Sequence, residues 1–142
     1  MKIPILDDVP DDLPIVDKCL VMARNLGKEA GANFAEWVAM DTFGGRCTRD
    51  HKEKARAVLE SIESGDYQHM DIALPNLSGE YSEGMTPIEL QNIIKRELDV
   101  PEGTAQDEEI NDLLEDMCNE WEFGVGEGYE WQLSLLAKSA LE

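Results

Sequence analysis

The apolar positions of this chain recur at helical rather than alternating spacing almost throughout. Ile15, Val16, Cys19, Leu20, Met22, Ala23 and Leu26 mark a first helix, with Asp12 as its N-cap, Pro14 in its first turn and Gly27 as its stop. Asn33 stands three residues before Glu36, a capping-box arrangement that opens a second helix through Phe34, Trp37, Val38 and Met40, ended by Gly44-Gly45. Thr48 caps a third, in which Ala55, Val58, Leu59 and Ile62 form one stripe and Gly65-Asp66 end the run. A short turn through Tyr67, Met70 and Ile72 leads to Pro75. The run Ser78-Gly79-Glu80-Tyr81-Ser82-Glu83-Gly84 then reads as loop.

Thr86-Pro87-Ile88-Glu89 joins an N-cap, a proline at the first helical position and a glutamate at the third, so a helix starts there and buries Leu90, Ile93, Ile94 and Leu98 before Pro101. After Gly103-Thr104 the most periodic stretch of the chain carries Ile110, Leu113, Leu114, Met117, Cys118 and Trp121, and Gly124, Gly126 and Gly128 follow it. A last helix runs through Trp131, Leu135, Leu136 and Ala140. No segment reads as a strand. The expected fold is all-α, with six or seven helices in a compact bundle, open to division into two small helical subdomains.

Length and composition add to this picture. A chain of 142 residues with 42% hydrophobic residues suits one compact domain rather than a disordered segment. The formal net charge is −19, and it is unevenly placed. Up to Arg56 nine bases face ten acids, whereas from Ala57 onward only Lys95, Arg96 and Lys138 face twenty-one acids. The chain therefore divides into a near-neutral helical part over 1–75, a linker over 76–85 and a strongly acidic helical part over 86–142. An excess of this size argues against direct contact with nucleic acid or an anionic membrane and favours a basic partner. The three cysteines Cys19, Cys47 and Cys118 are odd in number and widely spaced, which suits a reducing cytoplasm. The first twenty-five residues hold five aspartates and no long apolar run, so no secretory signal is expected, and no stretch has the length of a membrane span.

The densest acidity falls between Asp107 and Glu122. On a single continuous helix, Glu108, Glu109, Asp112, Glu115, Asp116, Glu120 and Glu122 share the face opposite the apolar set. Glu108, Asp112, Asp116 and Glu120 then form an i, i+4 ladder of like charges, each pair costing roughly 0.2–0.5 kcal/mol. No lysine or arginine interrupts the sequence between Glu97 and Ala137, and Glu120 and Glu122 fall at the unfavourable end of such a helix. With eight acids on a rise of about 1.5 Å per residue, the charge spacing is close to the roughly 3.4 Å of phosphates along one DNA strand. An ordinary solvated surface is the plain alternative.

Arg46, Arg49, Lys52, Lys54 and Arg56 crowd into eleven residues around His51. They either offset the acidity of the second half or form an anion site. Cys47 and His51 are the one pair with nucleophile-and-base or ligand spacing, and they are read as incidental; His69 is the other histidine. No zinc spacing and no EF-hand loop is present, so no cofactor and no metal is expected. Trp37, Trp121 and Trp131 read as core.

The order Trp37, Gly45-Arg46, Gly65-Asp66, Leu74-Pro75, Leu77-Ser78-Gly79-Glu80-Tyr81 and Phe123-Gly124 resembles small acidic proteins of unassigned function from phages and mobile elements. In size, helical content and charge the chain is also similar to DNA-mimic proteins used against restriction or CRISPR systems. That likeness implies a noncatalytic inhibitor that occupies the nucleic-acid groove of a defence enzyme through the seven acids named above. The alternative is an adaptor or immunity-type protein with an apolar interface, its acidity serving solubility. Homo-oligomerisation is compatible with either.

Overall fold

The computed structural model describes residues 6–42, 50–65 and 86–142, and among these it is all-helical with no strand. The five helices of the described residues are α1 (Ile15–Thr42), α2 (His51–Ser64), α3 (Pro87–Glu97), α4 (Ala105–Asn111) and α5 (Leu114–Leu141). The Gly44-Gly45 stop, the Thr48 cap, and the turn and linker expected over 67–85 lie outside the described residues.

Two expected breaks are absent. Gly27 does not stop a helix and Asn33 does not start one, because α1 runs through both for 28 residues. Pro14 supplies the carbonyl that accepts the Lys18 N–H at 3.0 Å, so it, rather than Asp12, stands at the entry. Gly124, Gly126 and Gly128 likewise lie inside α5, which also spans 28 residues. A glycine inside a helix costs about 1 kcal/mol relative to alanine, so continuity through these positions requires a compensating contact.

That contact is between α1 and α5. A Cβ built on Gly27 would meet the Trp121 carbonyl well inside 3.0 Å, and one on Gly31 would meet the carbonyl of Val125. Reciprocally, Gly124 faces the carbonyl of Arg24 and Gly128 that of Lys28. The pairs advance together along both helices, so α1 and α5 lie parallel. Two glycines four residues apart on each helix let the backbones approach until Cα–H groups face carbonyl oxygens, a close-packing device known from G-x-x-x-G helix pairs. No described helix is long and apolar enough to cross a membrane, and here the device joins two helices of one chain.

The α1 glycines belong to a row spaced by four that faces a similar row on α5. On α1 the row Cys19, Ala23, Gly27, Gly31, Ala35 and Ala39 is buried along its whole length. On α5 the row Met117, Trp121, Val125, Tyr129, Leu133 and Ala137 is buried too. Each row is an i, i+4 ridge of the kind that packs helix against helix.

On either side of the glycine waist lies a separate core. The first gathers Cys19, Ala23, Leu90, Ile94, Ile110, Met117, Trp121 and Val125, from α1, α3, α4 and α5. The second gathers Ala35, Val38, Ala39, Ala55, Val58, Tyr129, Leu133 and Ala137, from α1, α2 and α5. Each lobe thus draws on both the near-neutral and the acidic part of the sequence. Burial pushes the Cys19 thiol up to about 11, with Glu109 adding and Lys95 opposing, which leaves it an inert core group.

Local signals are realised at the short helices. Thr86 caps α3 by accepting the Glu89 N–H at 3.2 Å, and the Glu89 carboxylate accepts the Thr86 N–H at 3.4 Å, completing the capping box. Gly65 ends α2 with φ 75°, the left-handed conformation that favours glycine. The stripe expected on α2 is also realised, with Ala55 and Val58 buried and Leu59 and Ile62 packed beside them.

Candidate functional site

The stretch from Asp107 to Glu122 is not one helix. α4 closes at Asn111, with Asp112 as its C-cap, and the Leu113 N–H bonds to Ile110 O at 3.0 Å, three residues back instead of four. This tightened turn resets the helix before Leu114. Tertiary contacts hold this turn. The buried Gln91 side chain donates at 2.7 Å to Ile110 O, the carbonyl that also accepts the Leu113 N–H, and Lys95 bonds the Asn111 side chain.

The break corrects two expectations about the acids. The like-charge ladder survives as Glu108 to Asp112 and as Asp116 to Glu120, but the step from Asp112 to Asp116 crosses the turn, and the DNA-like spacing holds only within each helix. Two helix N-termini replace one. Asp107 and Glu108 fall in the first turn of α4 and Glu115 and Asp116 in that of α5, where carboxylates favour the macrodipole. Glu120 and Glu122 lie early in α5 rather than at a C-terminal end.

The seven acids differ in environment. Glu108, Glu109, Asp112, Glu115 and Asp116 are exposed, and among the described residues none forms an ion pair. Glu120 and Glu122 are half-buried, and Glu120 lies 3.5 Å from the Arg24 guanidinium. Their neighbour Asp107 turns inward. It is buried, 2.8 Å from Lys95 Nζ, and accepts the Gly103 N–H at 3.1 Å. The Lys95 bond first and the Gly103 N–H second hold its carboxyl below the ordinary value, against the opposing effect of burial. Asp107 therefore anchors α4 to α3, while the exposed five face solvent from two consecutive helices.

One cluster was not anticipated from sequence. Phe123 is 68% exposed on α5, and the Arg24 guanidinium carbon lies 5.5 Å from its ring centroid. Arg24 is held by Glu127 at 2.6 Å and by Glu120, and the Glu127 bond raises its pKa. Beside the ring a groove of about 570 Å³ is lined by Asn119, Glu122, Phe123 and Gly126. Unlike its neighbours at 124 and 128, Gly126 has no atom of the described residues within 4 Å of the place a Cβ would take. The signal available in the sequence was the shared spacing of Gly27, Gly31, Gly124 and Gly128, which leaves Gly126 as the odd one out.

Elsewhere, Asp7 is tied to α1 by two bonds with Asn25, at 2.9 and 2.8 Å, and by Lys28 at 3.0 Å. It borders a second groove of about 710 Å³ with Lys28, Glu127 and Trp131. Trp131 is thus only half-buried and Trp37 is 64% exposed, so of the three tryptophans read as core only Trp121 is. Of the basic segment, Lys52, Lys54 and Arg56 are exposed on α2, and Lys54 makes a surface pair with Asp50 at 3.6 Å. Arg46, Arg49, Cys47 and His69 lie outside the described residues. Among the described residues no three His, Cys, Asp or Glu side chains are grouped to hold a metal ion. Compared with protein-family models, curated proteins and solved structures, the chain matches none.

Proposed function

We propose that this chain is a noncatalytic, cytoplasmic inhibitor that occupies the Lys/Arg-lined nucleic-acid groove of a DNA-binding defence enzyme, a restriction or CRISPR effector. The observation that carries the reading is the set of five exposed carboxylates, Glu108, Glu109, Asp112, Glu115 and Asp116, without an ion-pair partner among the described residues. Helix dipoles account for Glu108, Glu115 and Asp116, whereas Glu109 and Asp112 gain little from them. Such a surface attracts a basic groove over a distance set by the Debye length and competes with phosphate. Glu120 and Glu122 would flank it, Glu120 already engaged by Arg24.

The test is capture from a bacterial lysate at low and high salt, followed by a DNA-displacement assay on the captured enzyme. Converting the five carboxylates to Gln or Asn is expected to abolish capture and displacement without unfolding α4 or α5. Capture that survives this change, or a captured enzyme that still holds its DNA, sinks the proposal.

A second reading has an observation of its own. Trp37, stacked on Phe34 at 5.9 Å, and Met40, 76% exposed, leave apolar surface near the end of α1. An adaptor using this surface forms salt-tolerant complexes that Trp37→Ala weakens and the carboxylate changes do not.

A further inference from the structure

We propose that the outer face of α1 around Trp37 and Met40 seats a basic amphipathic helix of a partner protein. The inference rests on the adaptor reading given above and names the occupant of that surface. At about 100° per residue, Glu29, Asn33, Glu36, Trp37 and Met40 fall within one arc of about 100°, and all five are exposed. Ala35, Val38 and Ala39 point the other way, into the core shared with α2 and α5. The face is thus a strip about 16 Å long on the side of α1 away from α2.

A column of rings prepares the strip for binding. Trp37 stacks on Phe34 at 5.9 Å, and Phe34 lies 5.8 Å from the ring of Tyr129, which is buried. The column runs from core to surface and fixes Trp37 in place, so this anchor has little freedom left to lose when a partner docks. Met40, three residues on, is exposed and unbranched, and adapts to the side chains it meets.

Backbone and charge select the occupant. The peptide groups of α1 are engaged within the helix, so an extended strand finds no edge to pair with, whereas a second helix needs only a strip of side chains. Glu29 and Glu36 line one edge of the strip and Trp37 the other. Glu36 accepts a bond from Gln132 at 3.0 Å, and that neutral amide orients the carboxylate without offsetting its charge. Neither glutamate forms an ion pair among the described residues. The cations nearest in sequence on a described helix, Lys52, Lys54 and Arg56, belong to α2, where Glu53, Glu60 and Glu63 match them in number. A helix with lysines or arginines beside its apolar stripe therefore complements the strip, and an acidic one is repelled. The edge charges choose the partner while the apolar anchors hold it, which keeps the complex largely salt-tolerant.

The test titrates the full chain calorimetrically with three peptides of equal length, about 18 residues, enough to hold a helix once bound. The first places leucines at i, i+3, i+4 and i+7 among lysines, the second scrambles that composition, and the third keeps the leucine pattern with glutamines for lysines. The unmodified chain is expected to bind the first about fivefold to tenfold more tightly than the second. Trp37→Ala should bring those two affinities together, and so should Met40→Ser, a change at an exposed position that leaves the melting temperature in place. Glu29→Gln combined with Glu36→Gln should cut the advantage of the first peptide over the third about twofold to threefold. Phe123→Leu, and conversion of the five carboxylates on α4 and α5, should leave the preference for the first peptide over the second unchanged. The proposal is overturned if the scrambled peptide binds as well as the first, if the preference survives both Trp37→Ala and Met40→Ser, or if Phe123→Leu abolishes it. A third peptide that binds as tightly as the first overturns the basic occupant and leaves the adaptor reading standing. If the preference depends on Trp37 while Trp37→Ala leaves capture from a lysate intact, the adaptor reading fails and the helix seat stands.

Discussion

The two lobes are built from different materials. The core of the first holds Leu90, Ile94, Ile110, Met117 and Trp121, large side chains brought together by four helices. Half of the second core is alanine, Ala35, Ala39, Ala55 and Ala137, and among the described residues only α2 joins the long pair there. The first lobe also carries a polar lock, Lys95 with Asp107 and Gln91 with the end of α4, whereas the second leaves Trp37 and Met40 exposed. Stability in the first lobe therefore comes from the volume buried. In the second it comes from how closely α1 and α5 approach, which the waist glycines set. The exposed acids lie beside the first core, on α4, its C-cap and the first turn of α5.

Several measurements can break this contrast, beginning with the largest effect. Trp121→Ala should cost about 3–5 kcal/mol in chemical denaturation, against about 1–2 kcal/mol for Val58→Ala in the second lobe. Equal losses would show that the lobes do not differ in this way. Next comes the waist. Gly31→Ala should cost about 3 kcal/mol, because the methyl group must displace the backbone at Val125, while Gly126→Ala should add up to about 1 kcal/mol. If both glycines tolerate alanine equally, the close approach of α1 and α5 is not what joins the lobes.

The polar lock gives a pH signature. The Asp107 carboxyl is held below its ordinary value of 3.8, so its contribution is complete above that value and is lost as pH falls through the lower folded value. Asp107→Asn should therefore be less stable than the original at neutral pH, with the gap narrowing under acid. A pH-independent gap would mean that the ion pair is not its source. The smallest effect belongs to the second lobe. Burial pushes the Tyr129 phenol from 10.0 up to about 12. Its contribution is complete below pH 10.0 and is lost as pH rises through about 12, and a Tyr129→Phe variant lacks this alkaline dependence. Absorbance titration follows the phenol directly, and ionisation near the ordinary value would place Tyr129 outside the core.

Some features were legible because they depend on a few neighbouring residues. The capping box at Thr86–Glu89 and the Gly65 stop each answer an orphaned backbone group within one helical turn. The acids at 107–122 were legible as a group, but their division between α4 and α5 was not. It depends on Gln91 and Lys95, which reach from sixteen to twenty residues away. Arg24 and Phe123 were illegible as a pair for the same reason, being 99 residues apart in sequence and neighbours only after α1 and α5 align.

By itself the sequence determined the helical class, the start at Thr86, the stop at Gly65, and the concentration of acid after Arg56, since periodicity, caps and composition are local quantities. The tertiary structure alone decided what each glycine means. At Gly65 the residue ends a helix by adopting positive φ, and at Gly27, Gly31, Gly124 and Gly128 it stays helical and gives up its side chain to a neighbouring backbone. Local propensity is the same at all five. The difference lies in whether a second helix arrives close enough to make the missing Cβ an advantage, and that second helix is some ninety residues distant along the chain.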